Sequence, residues 1–238
     1  TLYMPILLFL LMLFIGIATV HDSDPKFYIS AAFAGFEWET IILIVVSANI
    51  ISMEFEYGTI KHLITKYRNR YLIYDIKLLE IIIYDIYIHL LTLVFAIIIK
   101  LVIYGKRFSF FKPYLYHKTL LHNLVLGSVV DLLGSLLIIG IIFFLACISK
   151  SSSIAIASGI AMCFVGEGVS DMLIKNAGKL QILIKWNPFN MLNISNEWSN
   201  PGYFYNTHLV LRELVVGNII YTVLFLVGGY ILFKRKKV

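Results

Sequence analysis

The chain has 238 residues, 60% of them hydrophobic and only 14% charged, with a formal net charge of +6 and a mean hydropathy of +0.86. A soluble domain carries roughly 25% charged residues, so this chain lacks the polar surface that a water-soluble enzyme needs. Its apolar residues fall in long blocks rather than in alternation, which makes lipid the expected solvent, and its wealth of Ile, Tyr, Lys and Asn fits an AT-rich bacterial genome.

A spanning helix needs about 20 predominantly apolar residues. Six stretches meet that need: Leu2–Val20, Ser30–Met53, Leu78–Ile99, Leu120–Ile148, Ile154–Ile174 and Leu209–Phe233. The first follows directly on Thr1, with no initiator Met, so a further N-terminal piece is expected. It is too long for a signal peptide and lacks the small-residue cleavage site. Backbone polar groups in lipid must bond within their own span, whereas barrel strands are shorter and strictly alternating. The sequence therefore predicts an all-α polytopic membrane protein with one transmembrane domain over residues 1–238.

Orientation follows from Lys and Arg. With the N-terminus inside, the cytoplasmic segments hold ten: Lys61, Lys66, Arg68, Arg70, Lys77, Lys150, Lys234, Arg235, Lys236 and Lys237. The outer segments are longer and hold eight: Lys26, Lys106, Arg107, Lys112, Lys118, Lys175, Lys179 and Lys185. Density thus places both termini in the cytoplasm, in the plasma membrane of a bacterium.

The last outer loop contains a short apolar run, Leu180–Lys185, followed by Trp186-Asn187-Pro188-Phe189. The run is too short to cross a bilayer, so a re-entrant or interfacial hairpin is expected, turning at or near Pro188. Cys147 and Cys163 lie inside apolar stretches and read as buried packing residues rather than a disulfide. Ala155 with Gly159 and Ala157 with Ala161 have the spacing of close helix contacts. Asn193-Ile194-Ser195 is a glycosylation triplet without meaning in a bacterial chain.

The loop between the second and third predicted spans is the most informative. It reads Glu54-Phe55-Glu56-Tyr57-Gly58-Thr59-Ile60-Lys61-His62-Leu63-Ile64-Thr65-Lys66-Tyr67-Arg68-Asn69-Arg70. Gly58 permits a sharp turn, and Thr59 is placed as an N-cap whose hydroxyl accepts from a backbone N–H. Ile60, Leu63 and Ile64 then form an apolar stripe opposite Lys61, Thr65 and Arg68, an amphipathic helix tied to two spans.

This loop resembles the coupling segment of type-2 ABC transporter permeases. Glu54, Gly58, Thr59, Leu63, Ile64, Arg70 and Lys77 fall at the offsets of that family's pattern, while Tyr67 stands where it usually has Pro and Asn69 where it has Ser. Six helices, a re-entrant Pro segment before the last and a basic C-terminus are also similar to the family. The resemblance implies a permease that does not itself hydrolyse ATP, and no Gly-x-x-x-x-Gly-Lys-[Ser/Thr] phosphate cradle occurs in the chain. ATP and Mg would sit on separate cytosolic P-loop ATPase subunits. Further partners would be a second permease copy or paralogue and membrane lipid, with no nucleic acid. The compact chain resembles the small permeases for peptide-antibiotic immunity or amphipathic-peptide export; drug, lipid and polysaccharide export stay open within the family.

An ionisable side chain in the bilayer costs at least about 2.5–3.5 kcal/mol, so each needs a reason. Glu37 and Glu39 fall in the second span, Asp85 and His89 in the third at i, i+4 with Thr92 beyond, Asp131 in the fourth, and Glu167 and Asp171 in the fifth. They read either as a polar substrate path or proton relay, or as structure: a wet outer vestibule for Glu37, Glu39, Glu167 and Asp171, and a bonded pair for Asp85 and His89. A proton path through Asp85, His89 and Glu167 would suit a secondary transporter, but the inverted repeats and broken helices of such proteins are not evident. An intramembrane enzyme is disfavoured by missing catalytic motifs, and no Cys/His cluster with metal spacing occurs, so no metal site is expected.

The loop 54–77 and the basic tail should share the cytoplasmic side. Single cysteines at Lys66 and Lys236, in a background lacking Cys147 and Cys163, should resist impermeant thiol reagents in intact cells; external labelling of either would overturn the orientation.

Overall fold

Long apolar runs without interior proline let the backbone close its hydrogen bonds inside each segment. The computed structural model describes residues 3–22, 24–67, 70–149 and 151–235, and of Ile64, Lys66, Tyr67, Arg70 and Pro201 the backbone alone. Among these the regular structure is helical, with one isolated bridge, Pro113 to Thr119. The α-helices are α1 Met4–Ala18, α2 Pro25–Ser30, α3 Gly35–Glu56, α4 Ile60–Tyr67, α5 Arg70–Ile99, α6 Leu120–Ile148 and α7 Ser152–Asn176, then the short α8 Gln181–Ile184, α9 Pro188–Met191, α10 Ile194–Ser199 and α11 Phe204–Thr207, and α12 Leu211–Arg235. Pro5, Pro25 and Pro188 sit in the first turns of α1, α2 and α9, where a missing N–H costs nothing.

Among the described residues five stretches are long and apolar enough to cross a membrane: Ala32–Glu56, Tyr71–Tyr104, Leu120–Ile148, Ser152–Asn176 and Leu211–Arg235. α5 exposes Leu79, Ile83, Ile86, Leu90 and Val94, and α12 exposes Ile219, Ile220, Val223, Leu224 and Val227. Such continuous apolar faces have no place in water and are what a multi-pass membrane protein presents to lipid. The first predicted span is represented by α1, which has 15 residues; at roughly 1.5 Å per residue it extends about 22 Å, against about 30 Å of hydrocarbon.

Two element boundaries differ from expectation. α5 begins eight residues before the predicted span and continues through a π-helical turn, Lys100–Tyr104. α3 starts at Gly35 because Ala32, Phe33 and Ala34 form a left-handed turn with φ of 50, 53 and 60°. That conformation costs about 1–2 kcal/mol per L-residue. Its context supplies the compensation: the Phe33 ring is fully buried and stacks on Tyr104 with centroids 6.2 Å apart.

The chain forms two compact units, one of residues 1–42 and 85–132, the other of 43–84 and 133–238. In the first, α1 lies on α5: Leu8 and Met12 are buried, Phe9 meets Phe95 edge-on at 5.0 Å, and Gly16 leaves room for Ile99 and Ile103. In the second, Tyr74 of α5 is 2% exposed among Phe143, Tyr230 and Phe233, each with centroids 5.6 Å away. Its hydroxyl donates to the Leu226 carbonyl at 3.0 Å. α7 presents Ala155, Gly159, Cys163, Gly166 and Ser170 as its buried stripe. Ala155 and Gly159 pack as the spacing suggests, whereas Ala157 and Ala161 are exposed, because the buried face of α7 is set by the partner helices and not by small residues alone. Both cysteines are buried, and neither is in a disulfide among the described residues.

Between α7 and α12 the chain is a series of short helices rather than a solvated strand. Leu180–Ile184 is helical, Lys185–Asn187 turns, and Pro188 opens α9 with the Asn187 side chain accepting from Asn190 N–H. Proline thus starts the second arm instead of ending the first. Buried amides fasten the segment: Asn190 donates to the carbonyls of Lys185 at 2.7 Å and Thr207 at 2.9 Å, and Asn218 of α12 donates to that of Met191 at 2.8 Å. Burial, the larger effect, holds the Glu197 carboxyl above the usual range, against the opposing hydrogen bond from Thr207.

A side chain at Gly159 would overlap Ile142 and approach Ile44 to 3.0 Å. Overpacking of this kind costs about 1–3 kcal/mol, so Gly159→Leu should lower the melting temperature in detergent. Ala157→Leu, on the exposed face, should not.

Candidate functional site

Three groups of polar side chains stand out, two of them in apolar surroundings. The first is at the turn between α3 and α5. Gly58 has φ of +70° with open space around it, the left-handed geometry that glycine adopts without strain. α4 follows with Ile60 buried, Leu63 half-buried, and Lys61, His62 and Thr65 exposed, as its amphipathic pattern requires. Thr59 stands at the N-terminus of α4, the expected cap position. Its hydroxyl donates to the Glu54 carboxylate and to the Glu54 carbonyl, while its own carbonyl accepts from Leu63 N–H at 3.2 Å. A carboxylate is the stronger of these two acceptors for the hydroxyl's one hydrogen.

Glu54 is therefore shared: one oxygen takes Thr59, and the other pairs with Lys77 Nζ at 3.0 Å. The end of α3, the start of α4 and the first turns of α5 meet on one carboxylate. Next to it, Glu56 accepts from Ser152 N–H at 3.1 Å and Ser152 Oγ at 2.8 Å, which ties α3 to the N-terminus of α7. Phe55 meets Phe233 edge-on at 5.4 Å, and Lys234 Nζ stands 5.2 Å from the Tyr71 ring centroid. The basic end of α12 thus lies beside this loop. Arg68 and Asn69 lie outside the described residues, as do the side chains of Ile64 and Arg70.

The second group is buried in the first unit. His89 of α5 offers Nδ1 to Asp85 Oδ1 at 3.1 Å and Nε2 to Asp131 Oδ2 at 3.3 Å. Glu39 Oε2 of α3 lies 3.8 Å from the same Nε2, and Glu39 Oε1 accepts from Thr92 Oγ1 at 2.7 Å. Phe36 stacks over the imidazole at 6.2 Å. The predicted Asp85–His89 pair is present. Glu39 is fully buried and so is no vestibule residue, because α3 turns it toward His89; its neighbour Glu37 is exposed.

The third group lines a cavity of about 260 Å³ in the second unit, formed by Phe164, Glu167, Gly168, Asp171, Asn190, Asn193, Tyr203 and Asn206. Asp171 pairs with Lys175 at 2.6 Å, and Asn196 donates to Glu167 at 3.4 Å. The expected acidic residues of α7 thus face a polar hollow. Its amides come from the segment of short helices, 19 or more positions away in sequence from the two carboxylates, where no local spacing could reveal them.

Residues 26–238 match the family described as Protein of unknown function (DUF2705). No curated protein and no solved structure gives a match.

The Glu54–Lys77 pair is only about four-fifths buried on each side, so its free energy is modest, about 0.2–1 kcal/mol. Glu54→Lys and Lys77→Glu should each lower thermal stability, and the double swap should recover most of the loss. Additive losses would mean that the two side chains do not interact.

Proposed function

The chain belongs to the DUF2705 family, whose description carries no activity, and from its own residues we propose that it is the membrane permease subunit of an ATP-driven exporter. The observation that carries this reading is the Glu54 node. A short amphipathic helix between two spans is held at its start by one carboxylate shared with Thr59 and Lys77, with a left-handed glycine at the turn. A lever must transmit a push without bending. α4 is anchored at one end to both α3 and α5, so displacement of its exposed face would move two spanning helices together. A cytosolic P-loop ATPase, carrying ATP and Mg, would supply that push, and its differing contacts with α4 in two states would provide the coupling free energy.

The same reading places both termini and α4 in the cytoplasm. It counts α1 as a sixth span whose shortness is absorbed by local bilayer thinning. The Leu180–Phe189 hairpin enters the outer leaflet, where Leu180, Ile182 and Leu183, which are 60%, 73% and 73% exposed, meet lipid. A second copy or paralogue of the chain completes the pathway. The acidic hollow at Glu167 and Asp171 suits a cationic amphipathic peptide arriving from the membrane. Drugs, lipids and polysaccharide are further substrates of such exporters.

The buried Glu39–His89–Asp131 group favours a second reading, a proton-coupled secondary transporter. The two part on energy source: export driven by a pH gradient with no ATPase bound would support the second.

The experiment is copurified ATPase and substrate efflux for Arg70→Glu beside wild type. The permease reading expects both to fall while the protein stays inserted. It expects Thr59→Ala, which removes a cap-scale interaction of about 1 kcal/mol, to stay folded. If Arg70→Glu changes neither quantity, α4 is not the coupling element.

A further inference from the structure

Glu39, His89 and Asp131 come from three helices, α3, α5 and α6, and each directs one ligand-type atom to a common point. The three atoms lie within 4.8 Å of one another. Around a tetrahedral ion with bonds of about 2.05 Å the edge between ligands is about 3.3 Å. The His89 Nε2 to Asp131 Oδ2 separation is 3.3 Å and that to Glu39 Oε2 is 3.8 Å, and with every pair of ligand atoms inside 4.8 Å the carboxylates close the set by drawing in toward the ion.

Two further features point the same way. Metal-bound imidazoles characteristically give their other ring nitrogen to a carboxylate, which fixes tautomer and orientation. A backbone carbonyl serves the same purpose, and Nδ1 of His89 lies 3.0 Å from the Asp85 carbonyl, with Asp85 Oδ1 at 3.1 Å, leaving Nε2 on the side of Glu39 and Asp131. Glu39 is likewise held by its outer oxygen, which accepts from Thr92 at 2.7 Å. Its inner oxygen, Oε2, is buried and has no hydrogen-bond partner among the described residues, although the residue is 0% exposed. A carboxyl oxygen stripped of water must either carry a proton or meet a cation, and Oε2 faces the point where a cation held by His89 and Asp131 would sit.

Charge gives the third argument. With all four groups ionised, Glu39, Asp85 and Asp131 against one imidazolium leave an excess of two negative charges in an apolar interior. A divalent ion on a neutral imidazole reduces the excess to one, and it replaces a 3.8 Å contact by direct bonds.

We propose that Glu39, His89 and Asp131 bind one divalent first-row transition ion, with Asp85 and Thr92 as the residues that orient two of the ligands. One nitrogen and two carboxylate oxygens suit Zn²⁺ or Mn²⁺ rather than the all-oxygen preference of Ca²⁺ and Mg²⁺. Three protein ligands leave a further position for water or a transported group. The ion pins α3, α5 and α6 to one point. The site stands whether or not the chain is a permease.

The test uses the full chain, purified without a histidine tag in detergent, stripped with chelator, and dialysed against ZnCl₂, MnCl₂ or CoCl₂. Wild type should retain one equivalent per chain by elemental analysis. Its Co²⁺ form should show ligand-field bands of a four- or five-coordinate ion with a nitrogen ligand. Glu39→Gln combined with Asp131→Asn should retain none. Asp85→Asn and Thr92→Val, which touch no ion, should each bind about 10- to 100-fold more weakly. A monodisperse wild type that holds no more metal than the double variant overturns the site, and the cluster is then a proton-sharing ion pair. Should the variants fail to fold, the wild-type Co²⁺ spectrum decides alone: a hexaaqua-type spectrum rejects the proposal.

Discussion

The imidazole of His89 determines where three helices meet. In water it would be one titratable group among many; in an apolar interior it draws in every carboxylate that can reach it, because each would otherwise stand alone at a cost of about 2.5–3.5 kcal/mol. Asp85 reaches it from one turn away on the same helix, Asp131 from α6 and Glu39 from α3. The surrounding apolar contacts are non-directional and would tolerate many rotations of these helices. The polar cluster tolerates one. It sets the face that α3 turns inward, and so leaves Glu37, two residues earlier, pointing outward.

At the α3–α5 turn the same economy works on a smaller scale. One carboxylate, Glu54, accepts from Thr59 and pairs with Lys77, and Glu56 takes both donors of Ser152. These contacts are partly solvated and weak individually. Their effect is geometric: they fix the angle at which α4 leaves the bundle, which a sequence of good helix formers would leave undetermined.

Much of this was legible in the residues. Lengths of apolar runs located five helices of spanning length because backbone satisfaction in lipid admits little else. Gly58 announced its left-handed turn, and the i, i+4 spacing of Asp85 and His89 announced their contact. What stayed hidden depends on tertiary context. The meeting of His89 with Asp131 joins residues 42 apart, and a search for local metal-ligand spacing cannot find ligands spread over three helices. Thr59 has the chemistry of a cap, and nothing in that pattern reveals that its hydroxyl donates to the carboxylate of Glu54. Ala157 and Ala161 have the size for a helix contact but sit on the wrong face of α7. The left-handed turn at Ala32–Ala34 had no glycine to mark it, because packing of Phe33 imposes it from outside.

That last turn bears on how relatives of this chain can diverge. Had Ala32–Ala34 stayed right-handed, α2 and α3 would merge into one helix from Pro25 to Glu56, and Glu39 would lose its angular position. Alanine is a strong helix former, so the local sequence pulls against the native conformation at each of these positions. Glycine adopts positive φ without the Cβ penalty, which makes Ala32 and Ala34 sites where drift toward glycine is favoured. Phe33 is under the opposite pressure, since its ring is what holds the turn. In an alignment of relatives the three adjacent positions should therefore carry different signatures: glycine tolerated or enriched on either side of an aromatic residue that does not vary.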